Sequence, residues 1–373
     1  MPQINLAKEY DKRIVERLKM TTYSSEAVNY GYKFDGSDTV HITSVDVMPM
    51  SDYQKSGTSR YGTPLDIGDT EQIVTLKKDR AFTGIIDKGD VQDQKIQKSA
   101  SECMKRQTDE VINPEIEKYR FGVMAAKPGF IKVDTNLTAV STGKSKVLED
   151  FFDLSTAATN GLAPRSGRVC FVTPAVTAML LQSSGNFLQY GEKSQDMIAK
   201  GVVGQIDGTK IIEVPEQLLP TNCMMLLANK EATVAVEKLK DLFIHQNPPG
   251  INGNLLEGRI RYDAFVLDHR VPMLGVCYKA GTLSTAPTIT YTASTTNTIA
   301  ITGASGETLT YTLDGSDPRT SPTAKTYSAA IDTADWSAAN GVTTVRAYAS
   351  KSGQIDSIVT TATVPVASAL VRG

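Results

Sequence analysis

Residues 90–126 constrain the fold most, because their pattern predicts a single helix of unusual length. The apolar positions recur mostly every three or four residues and trace one stripe. Asp90 follows the turn at residues 87–89 and is a good N-cap. Pro114 lies inside the pattern, so we expect a kink or a break at Asn113. At about 1.5 Å per residue such a helix would span roughly 55 Å, as expected of a beam that carries flanking elements. The stripe consists of Ile96, Ala100, Cys103, Met104, Val111, Ile112, Ile116, Tyr119 and Val123.

Composition excludes several classes of protein. The chain has 373 residues, enough for two or three domains. Its net charge of −2 gives no overall sign of a protein that binds nucleic acid or an anionic membrane. No run of about 18 apolar residues occurs, and residues 1–20 lack the apolar core of a signal peptide. We therefore expect synthesis in the cytoplasm and no association with a membrane.

The cysteines and histidines lack the spacing of a metal site. The four cysteines are Cys103, Cys170, Cys223 and Cys277, and the three histidines are His41, His245 and His269. The cysteines are far apart and form no CxxC pair, which predicts buried free thiols rather than disulfides or metal ligands. The sequence predicts no catalytic, cofactor-binding or metal-binding residue.

The N-terminal part predicts an arm and a long β excursion. Residues 1–37 form the predicted arm, with a short amphipathic helix over 6–20. Residues 38–86 contain two alternating strands, 39–47 and 71–86, joined by a polar loop of about 20 residues. A loop of this length is either an interaction element or a plain surface loop, and the sequence leaves both interpretations open.

The region after the long helix predicts a mixture of helices and strands. Its turn at Asp207 and Gly208 is suited to a tight hairpin. The predicted elements are a helix over 146–159, a strand over 168–172, a helix over 173–181, a hairpin over 201–214, a strand over 224–228, an ambiguous segment over 230–245, a loop over 246–258 and one or two strands over 259–279.

The composition changes at about Gly281. Residues 285–373 hold 11 of the chain's charged residues, whereas the first 284 residues hold 69. Short alternating runs separated by turn residues fill this part, and it contains the only tryptophan, Trp336. The pattern predicts an all-β sandwich of roughly immunoglobulin size over residues 288–373, joined by a linker at 281–287.

Three segments together resemble the major capsid proteins of tailed phages. DEVINPEIEKYRF (109–121) resembles their spine helix, GVVGQIDGTKIIEVP (201–215) resembles a small hairpin in their second half, and GRIRYDAFVLDHRVPMLGVC (258–277) resembles their closing β segment. The order of the elements is similar as well. The resemblance covers roughly residues 1–280 and implies an α+β fold of the Hong Kong 97 type.

The resemblance implies a division of the chain into named parts. These are an N-terminal arm (1–37), an extended β loop with its base strands (38–86), a peripheral domain with the spine helix (87–144), an axial domain (145–257), return strands of the peripheral domain (258–280), the linker (281–287) and an immunoglobulin-like sandwich (288–373).

A structural role follows from the same resemblance. It implies a non-enzymatic capsid subunit of a tailed double-stranded-DNA phage, assembled into an icosahedral shell as hexamers and pentamers. Its partners would be further copies, with scaffolding and portal proteins, and the virion shell would enclose DNA without sequence-specific contacts. An arm and a loop that cannot be buried within one subunit can be buried against neighbouring copies.

The C-terminal part has its own resemblance. YTLDGSDPRTSPTAKTYSAAI (311–331) and GVTTVRAYASKSGQIDS (341–357) are similar to the non-catalytic module at the C-terminus of chitobiases and hexosaminidases. This implies a decoration domain outside the shell, which deletion of residues 286–373 would remove without preventing assembly. The alternative function is a carbohydrate-active enzyme, or a tail or baseplate protein, that carries such a module.

Several charged residues could have a functional role or only a structural one. Asp314 and Asp317 could approach one calcium ion, but an Asx-type turn is favoured. Adjacent Asp109 and Glu110 match the pair that hexosaminidases use, yet neighbouring helix positions do not face each other, which favours a solvated face. The basic cluster at residues 77–80 would contact DNA or, in an extended loop of the capsid type, acidic residues of another subunit; the other interpretation is a solvated strand. Some capsid proteins of this type crosslink a loop lysine to an asparagine of a neighbouring subunit, but no sequence feature supports that chemistry at Lys55. Asn136 begins a glycosylation sequon, which has no significance without a secretion signal.

Overall fold

The structure is a computed structural model, and it describes most of the chain. The described residues are 22–31, 39–45, 52–56, 60–61, 69–88, 100–134, 146–183, 202–279, 281–292, 298–319, 321–332 and 342–365. Trp336, Asn136 and the predicted helix over 6–20 lie outside them. The helices are α1 (Ala100–Gln107), α2 (Asn113–Ala126), α3 (Lys146–Asn160) and α4 (Pro174–Ser183), with a π-helical turn at Thr108–Ile112 and short 3-10 turns at Ser24–Glu26 and Asp268–Met273.

Within the described residues the strands form five sheets. They are β1 (Val28–Asn29), β2 (Thr39–Val45), β3 (Asp69–Thr75), β4 (Lys78–Asp87), β5 (Phe130–Val133), β6 (Arg168–Val172), β7 (Val202–Ile206), β8 (Thr209–Glu213), β9 (Cys223–Asn229), β10 (Thr233–Gln246), β11 (Gly253–Val266), β12 (Gly275–Tyr278), β13 (Thr288–Thr292), β14 (Thr298–Thr302), β15 (Thr308–Thr312), β16 (Lys325–Thr326), β17 (Ile331–Asp332), β18 (Val342–Ser350) and β19 (Thr360–Pro365).

One continuous helix, here called the central helix, comprises α1, the π-helical turn and α2. The N–H of Asn113 donates to the carbonyl oxygen of Thr108, five residues earlier, so the backbone widens just before Pro114. A π-helical turn absorbs a residue that cannot follow the regular ladder. Of the two predicted alternatives at Asn113, a kink or a break, the break is not observed, because the helix continues through a π-helical turn that lies directly before this residue. Residues 90–99 lie outside the described part.

A four-stranded sheet lies against the central helix. Its order is β1-β10-β11-β4, and β10 and β11 form a hairpin with strands of 14 residues each. Ile260 and Tyr262 of β11 pack on Ile112 and Ile116 of the helix. The predicted loop at 246–258 is wrong, because pairing across the hairpin leaves only a short turn between Gln246 and Gly253.

A six-stranded mixed sheet forms the second layer, in the order β5-β12-β9-β6-β8-β7. One apolar cluster joins it to α2, and a second joins it to α3 and α4. The predicted helix over 146–159, the strand over 168–172 and the hairpin turn at Asp207 and Gly208 are confirmed. The proposed domain boundary at residue 258 falls inside β11, so strand pairing crosses it.

The β excursion differs from its prediction. β2 pairs with β3 in antiparallel register from Thr39–Thr75 to Val45–Asp69, as alternation predicted. The predicted return strand over 71–86 is divided, because β4 turns away after Leu76 and pairs with β11 instead. β3 therefore pairs with β2 and β4 pairs with β11, and the alternation within one strand cannot predict which strand is its partner.

The C-terminal part contains two antiparallel sheets. Their orders are β13-β14-β17 and β16-β15-β18-β19. Side chains from both sheets share one apolar cluster of Ile299, Ile301, Ile331, Val345, Ala347 and Val364. The two sheets thus have a core of their own.

The segment predicted as a linker is bonded to the C-terminal part and helps to seat it. The N–H of Ile355 donates to Thr282 O, and the N–H of Ser284 donates to Ile355 O, both at 2.9 Å. Leu283, Ile355 and Ile358 pack against the apolar cluster of the second layer. The C-terminal sheets are therefore docked on the rest of the chain, whereas the sequence predicted a tether.

Truncation after residue 280 is expected to destabilise the remaining chain, because it uncovers the seat of Leu283, Ile355 and Ile358. Each uncovered side chain costs about 1 kcal/mol, which amounts to a fall in Tm of a few degrees at about 2–4 °C per kcal/mol. Differential scanning calorimetry of the two chains measures the effect. A full-length variant with Ile355→Asp and Ile358→Asp should reproduce it, and an unchanged Tm in both would contradict the docked arrangement.

Candidate assembly surfaces

The N-terminal segment at residues 22–31 is anchored on the central helix by the buried side chain of Glu117. Glu117 Oε2 accepts hydrogen bonds from the N–H groups of Ser24 at 2.8 Å and Tyr23 at 3.0 Å. Its Oε1 accepts the Ser24 hydroxyl at 2.6 Å. A carboxylate that accepts several backbone donors holds a segment firmly. The segment then continues into β1, which pairs in parallel with β10.

Arg120 completes this anchor. Its Nη2 donates to Glu237 Oε1 at 3.0 Å, and its Nη1 donates to Tyr30 Oη at 3.2 Å and lies 3.6 Å from Glu117. Burial raises the pKa of Tyr30, and the Arg120 guanidinium acts against that rise. The buried charges are thus paired across three parts of the chain: the N-terminal segment, the helix and β10.

Sequence reasoning misplaced this anchor. The predicted apolar stripe of residues 90–126 does not include Glu117, which places this residue on one of the charged faces of the helix, whereas both Glu117 and Arg120 are buried. The available signal was an acid and a base three positions apart, next to the buried Ile116 and Phe121. Such a pair reaches one neighbouring surface from consecutive turns. Only the tertiary structure identifies that surface as residues 22–31.

The β2–β3 hairpin is seated on one face of the four-stranded sheet. Gln72 Nε2 donates to Val266 O at 2.9 Å, and the N–H of Lys77 donates to Asp263 Oδ2 at 2.9 Å. Apolar packing accompanies these bonds: Ile42, Val74 and Leu76 contact Val234, Val236, Phe265 and Leu267. The base of the β2–β3 hairpin is thereby fixed on the sheet.

The distal half of the same sheet face is exposed and partly apolar. Alternate residues of a strand point to one side, so Leu255 shares this face with Phe265. His245 and Ile85 lie directly across from Leu255 on the two flanking strands. Phe243 is 54% exposed, Ile85 is 60% exposed, and the His245 ring stacks on Phe243 at 6.0 Å. An exposed apolar patch at the distal end of the β10–β11 hairpin is a candidate contact surface.

The basic cluster at residues 77–80 is largely paired within the chain. Asp79 accepts two bonds from the Arg259 guanidinium and lies 3.2 Å from Arg261. Arg80 lies 2.8 Å from Glu115. Lys78 lies over the Tyr119 ring at 5.1 Å from its centroid. These contacts favour the solvated-strand interpretation over a free basic patch for a neighbour.

The other residues considered from sequence have structural surroundings. Ser316 N–H donates to Asp314 Oδ1, and Arg319 N–H donates to Asp317 Oδ1, which are the Asx turns that were favoured. Burial alone would raise the pKa of Asp317, but the Arg319 guanidinium and Lys127 hold it below its ordinary value. Within the described residues no group of three or more His, Cys, Asp or Glu could hold a metal ion.

The remaining acids, thiols and lysine are not brought together into a site. Asp109 and Glu110 lie in the π-helical turn, and Arg106 donates to Glu110 at 2.9 Å. Lys55 is exposed. Burial raises the pKa of Cys277 to about 12, which makes this thiol unreactive. Cys170 and Cys223 are buried as well, and Cys103 is half-buried.

A buried ion-pair cluster joins α3 to β5. Asp150 is fully buried, and its Oδ1 lies 2.7 Å from Lys132 Nζ and 3.2 Å from Lys146 Nζ. Burial raises the pKa of Asp150, while Lys132 and Lys146 act against the rise. Since both lysines neutralise the carboxylate, the cluster holds α3 against β5 and is not a reactive centre.

Among the described helices, none is both long and apolar enough to span a membrane.

Comparison with known proteins identifies the fold. A chain from Mycobacterium phage Che8 is 19% identical with a TM-score of 0.55, and the match covers 74% of this chain and 97% of that chain. A chain of the capsid structure of the Cyanophage P-SCSP1u is 16% identical with a TM-score of 0.56, and the match covers 74% of this chain and 93% of that chain. A chain of the asymmetric unit of the bacteriophage PhiM1 mature capsid is 12% identical with a TM-score of 0.55, and the match covers 73% of this chain and 91% of that chain. The chain therefore has the fold of phage capsid proteins.

The C-terminal sheets match a different model. The family model described as Fn3 associated matches residues 298–364. This range begins at β14 and ends within β19. No curated protein sequence matches the chain. Most of the chain therefore has a capsid fold, and a second module follows at its C-terminal end.

Proposed function

We propose that this chain is the major capsid protein of a tailed double-stranded-DNA phage, with a Hong Kong 97-type fold and no enzymatic activity. Many copies form an icosahedral shell as hexamers and pentamers, the shell encloses DNA without reading its sequence, and assembly involves scaffolding and portal proteins. The observation that carries the proposal is the match over 97% of a phage chain and over 93% of a cyanophage capsid chain. Subunits would be made in the host cytoplasm.

The geometry supports self-assembly through three surfaces. The segment at residues 22–31, which follows residues 1–21 in the chain, is anchored at Glu117, the β2–β3 hairpin is the base of the connection over 46–68, and β10 and β4 carry the exposed Phe243 and Ile85. Shell stability then comes from many moderate interfaces repeated in every subunit.

The C-terminal module is proposed to decorate the particle. It is an immunoglobulin-like sandwich on the outside of the shell, docked rather than tethered. The support is its separate apolar core, together with its seat at Leu283, Ile355 and Ile358. The Fn3-associated match favours a non-catalytic module of this kind. No described residue group favours the alternative of a carbohydrate-active enzyme.

Negative-stain electron microscopy and light scattering of the purified full chain test the proposal. Closed shells, or rings of five or six subunits, are expected. A chain that stays monomeric both alone and with a phage scaffolding protein, and that hydrolyses a chitin-derived substrate, would overturn it.

Deletion of residues 50–70 is expected to leave a folded subunit that forms few or no shells, because the loop then cannot reach a neighbour. The hairpin base should persist through Gln72 and its apolar contacts. Circular dichroism reports the fold, and light scattering reports assembly. Stable shells from this variant would contradict the interlocking role of the loop.

A further inference from the structure

An open groove lies between α2 and the sheet strands β4 and β11. Its lining residues on α2 recur every three or four positions, so they belong to one side of the helix. The groove has a volume of about 360 Å³, within the range of pockets that bury an apolar ligand. Its apolar lining consists of Tyr119, Gly122, Val123 and Ala126 of α2 and Tyr262 of β11.

The two tyrosine rings of the groove are held in place within the subunit. Tyr119 Oη donates to Asp263 Oδ1 at 2.7 Å, and Tyr262 Oη donates to Glu115 Oε1 at 3.2 Å. The rings pack edge to face with their centroids 5.7 Å apart. Because both phenol groups already have an acceptor, an occupant of the groove meets apolar ring surface and owes them no hydrogen bond.

Gly122 leaves the helix side of the groove open. A Cβ built at this position would meet no atom within 4 Å, so close packing inside the subunit does not require glycine here. Glycine within a helix costs stability relative to alanine. The subunit bears this cost without an internal benefit, and the absent side chain lets an external chain approach the helix backbone closely.

Positive charge flanks the groove from the sheet and from the helix. Lys78 of β4 lies over the Tyr119 ring, 5.1 Å from its centroid, which positions the ammonium group without neutralising it. Lys118 of α2 is exposed. Glu115 lies 2.8 Å from Arg80, so these two charges cancel each other. The apolar groove with its two lysines complements an amphipathic helix that has acidic residues on its flanks.

The groove favours an occupant other than the N-terminal arm of the same chain. Residues 1–21 contain five basic residues and three acidic ones, so their net charge has the same sign as the two lysines. The arm also joins the described part on the wrong side of α2. Tyr23 is bonded to Glu117, and at 3.6 residues per turn Glu117 lies on the opposite side of the helix from Tyr119 and Gly122.

We propose that this groove is the docking site for an acidic amphipathic helix of the scaffolding protein. The inference rests on the proposed capsid function, which includes a scaffolding partner, and it gives that partner a surface and a chemistry. Apolar side chains of the partner helix fill the space above Gly122, and its carboxylates pair with Lys78 and Lys118. Since these pairs lie at the rim, added salt is expected to weaken the contact.

A fluorescein-labelled peptide of about 15 residues, long enough to form a helix, with leucines on one face and glutamates on the flanks, tests the site. Fluorescence anisotropy with the full-length chain is expected to show binding. Binding should be at least about tenfold weaker for Gly122→Leu, whose side chain fills the groove, and for Lys118→Glu, which reverses a flanking charge. Lys105→Glu is the matched control and should bind like the original chain, because Lys105 is exposed on α1 outside the groove.

The fold of the variants is checked by circular dichroism. Gly122→Leu is expected to melt no lower than the original chain, because leucine is the better helix former and its Cβ has free space. Lys118→Glu changes an exposed side chain only, so it tests the groove even if the larger change at Gly122 disturbs the helix.

The same peptide should lower the yield of shells that the original chain forms with a phage scaffolding protein, because it occupies the groove. An unchanged yield would overturn the assignment to the scaffolding protein. The inference is also overturned, while shells leave the capsid function standing, if the peptide does not bind, binds every variant equally, binds no better than a version with lysines in place of glutamates, or is displaced by DNA. If the original chain forms no shells under any assembly condition, the proposed function fails, and the scaffold assignment fails with it.

Discussion

Replacing Glu117 with alanine is expected to lower the free energy of unfolding by about 3–5 kcal/mol. The variant leaves the N–H groups of Tyr23 and Ser24 without their acceptor and leaves Arg120 with less negative charge in a buried site. The cost of an unpaired buried charge exceeds the ordinary value of a hydrogen bond. Urea unfolding followed by circular dichroism measures the change. The N-terminal segment should also become sensitive to protease before the rest of the chain unfolds.

A matched control lies on the same helix. Glu102 is exposed in α1, and Glu102→Ala is expected to change the free energy of unfolding by less than about 0.5 kcal/mol. Glu117→Gln should fall between the two, because an amide oxygen still accepts one backbone donor but no longer neutralises Arg120. Equal stability of the Glu117→Ala and Glu102→Ala variants would show that the buried carboxylate does not hold the segment.

The double variant Phe243→Asp with Ile85→Asp is expected to abolish shell formation while the subunit stays folded. Both side chains are more than half exposed, so the folded subunit loses little packing. In a contact between copies, each new carboxylate would be desolvated without a partner, and like charges would repeat around the interface. Size-exclusion chromatography with light scattering measures assembly, and circular dichroism confirms the fold.

The control for this pair is a carboxylate placed elsewhere. Thr361 is exposed on β19, and Thr361→Asp adds the same charge to a strand of the C-terminal module. It should assemble normally if the module faces outward. Normal shells from the Phe243→Asp and Ile85→Asp variant would show that the patch around Phe243 and Ile85 is not an assembly surface.

Docking of the C-terminal module fixes its orientation relative to the capsid-fold part of the chain. A tethered module would sample many directions, whereas Leu283, Ile355 and Ile358 give it one seat. Asp317 of the module also lies close enough to Lys127 of the capsid-fold part for the lysine to help lower its pKa. In the proposed shell, a docked module would present the same face in every subunit and would form a regular surface layer.

Local sequence patterns determined the elements with a single strong period. The helix at Lys146–Asn160, the strand at Arg168–Val172 and the Asp207 turn were all readable, because each is specified by spacing or by one turn residue pair. The central helix was readable as a helix, but its buried face was predicted only in part: Val111 of the predicted stripe is exposed, whereas Phe121 and Met124, which the stripe left out, are buried. The change of composition near Gly281 similarly marked a second module, which now contains two sheets with a core of their own. These signals are local, so the sequence carries them without reference to distant parts of the chain.

Long-range pairing decided everything else. The run from residue 71 to 86 is one alternating pattern in sequence, but pairing to β2 and to β11 divides it at Leu76. Glu117 looked solvated until residues 22–31 supplied its donors, and the segment at 281–287 looked like a free linker until Ile355 supplied its hydrogen bonds. The physical reason is the same in each case: periodicity specifies which side of an element is apolar, whereas the partner that covers a given residue depends on contacts between residues far apart in the chain.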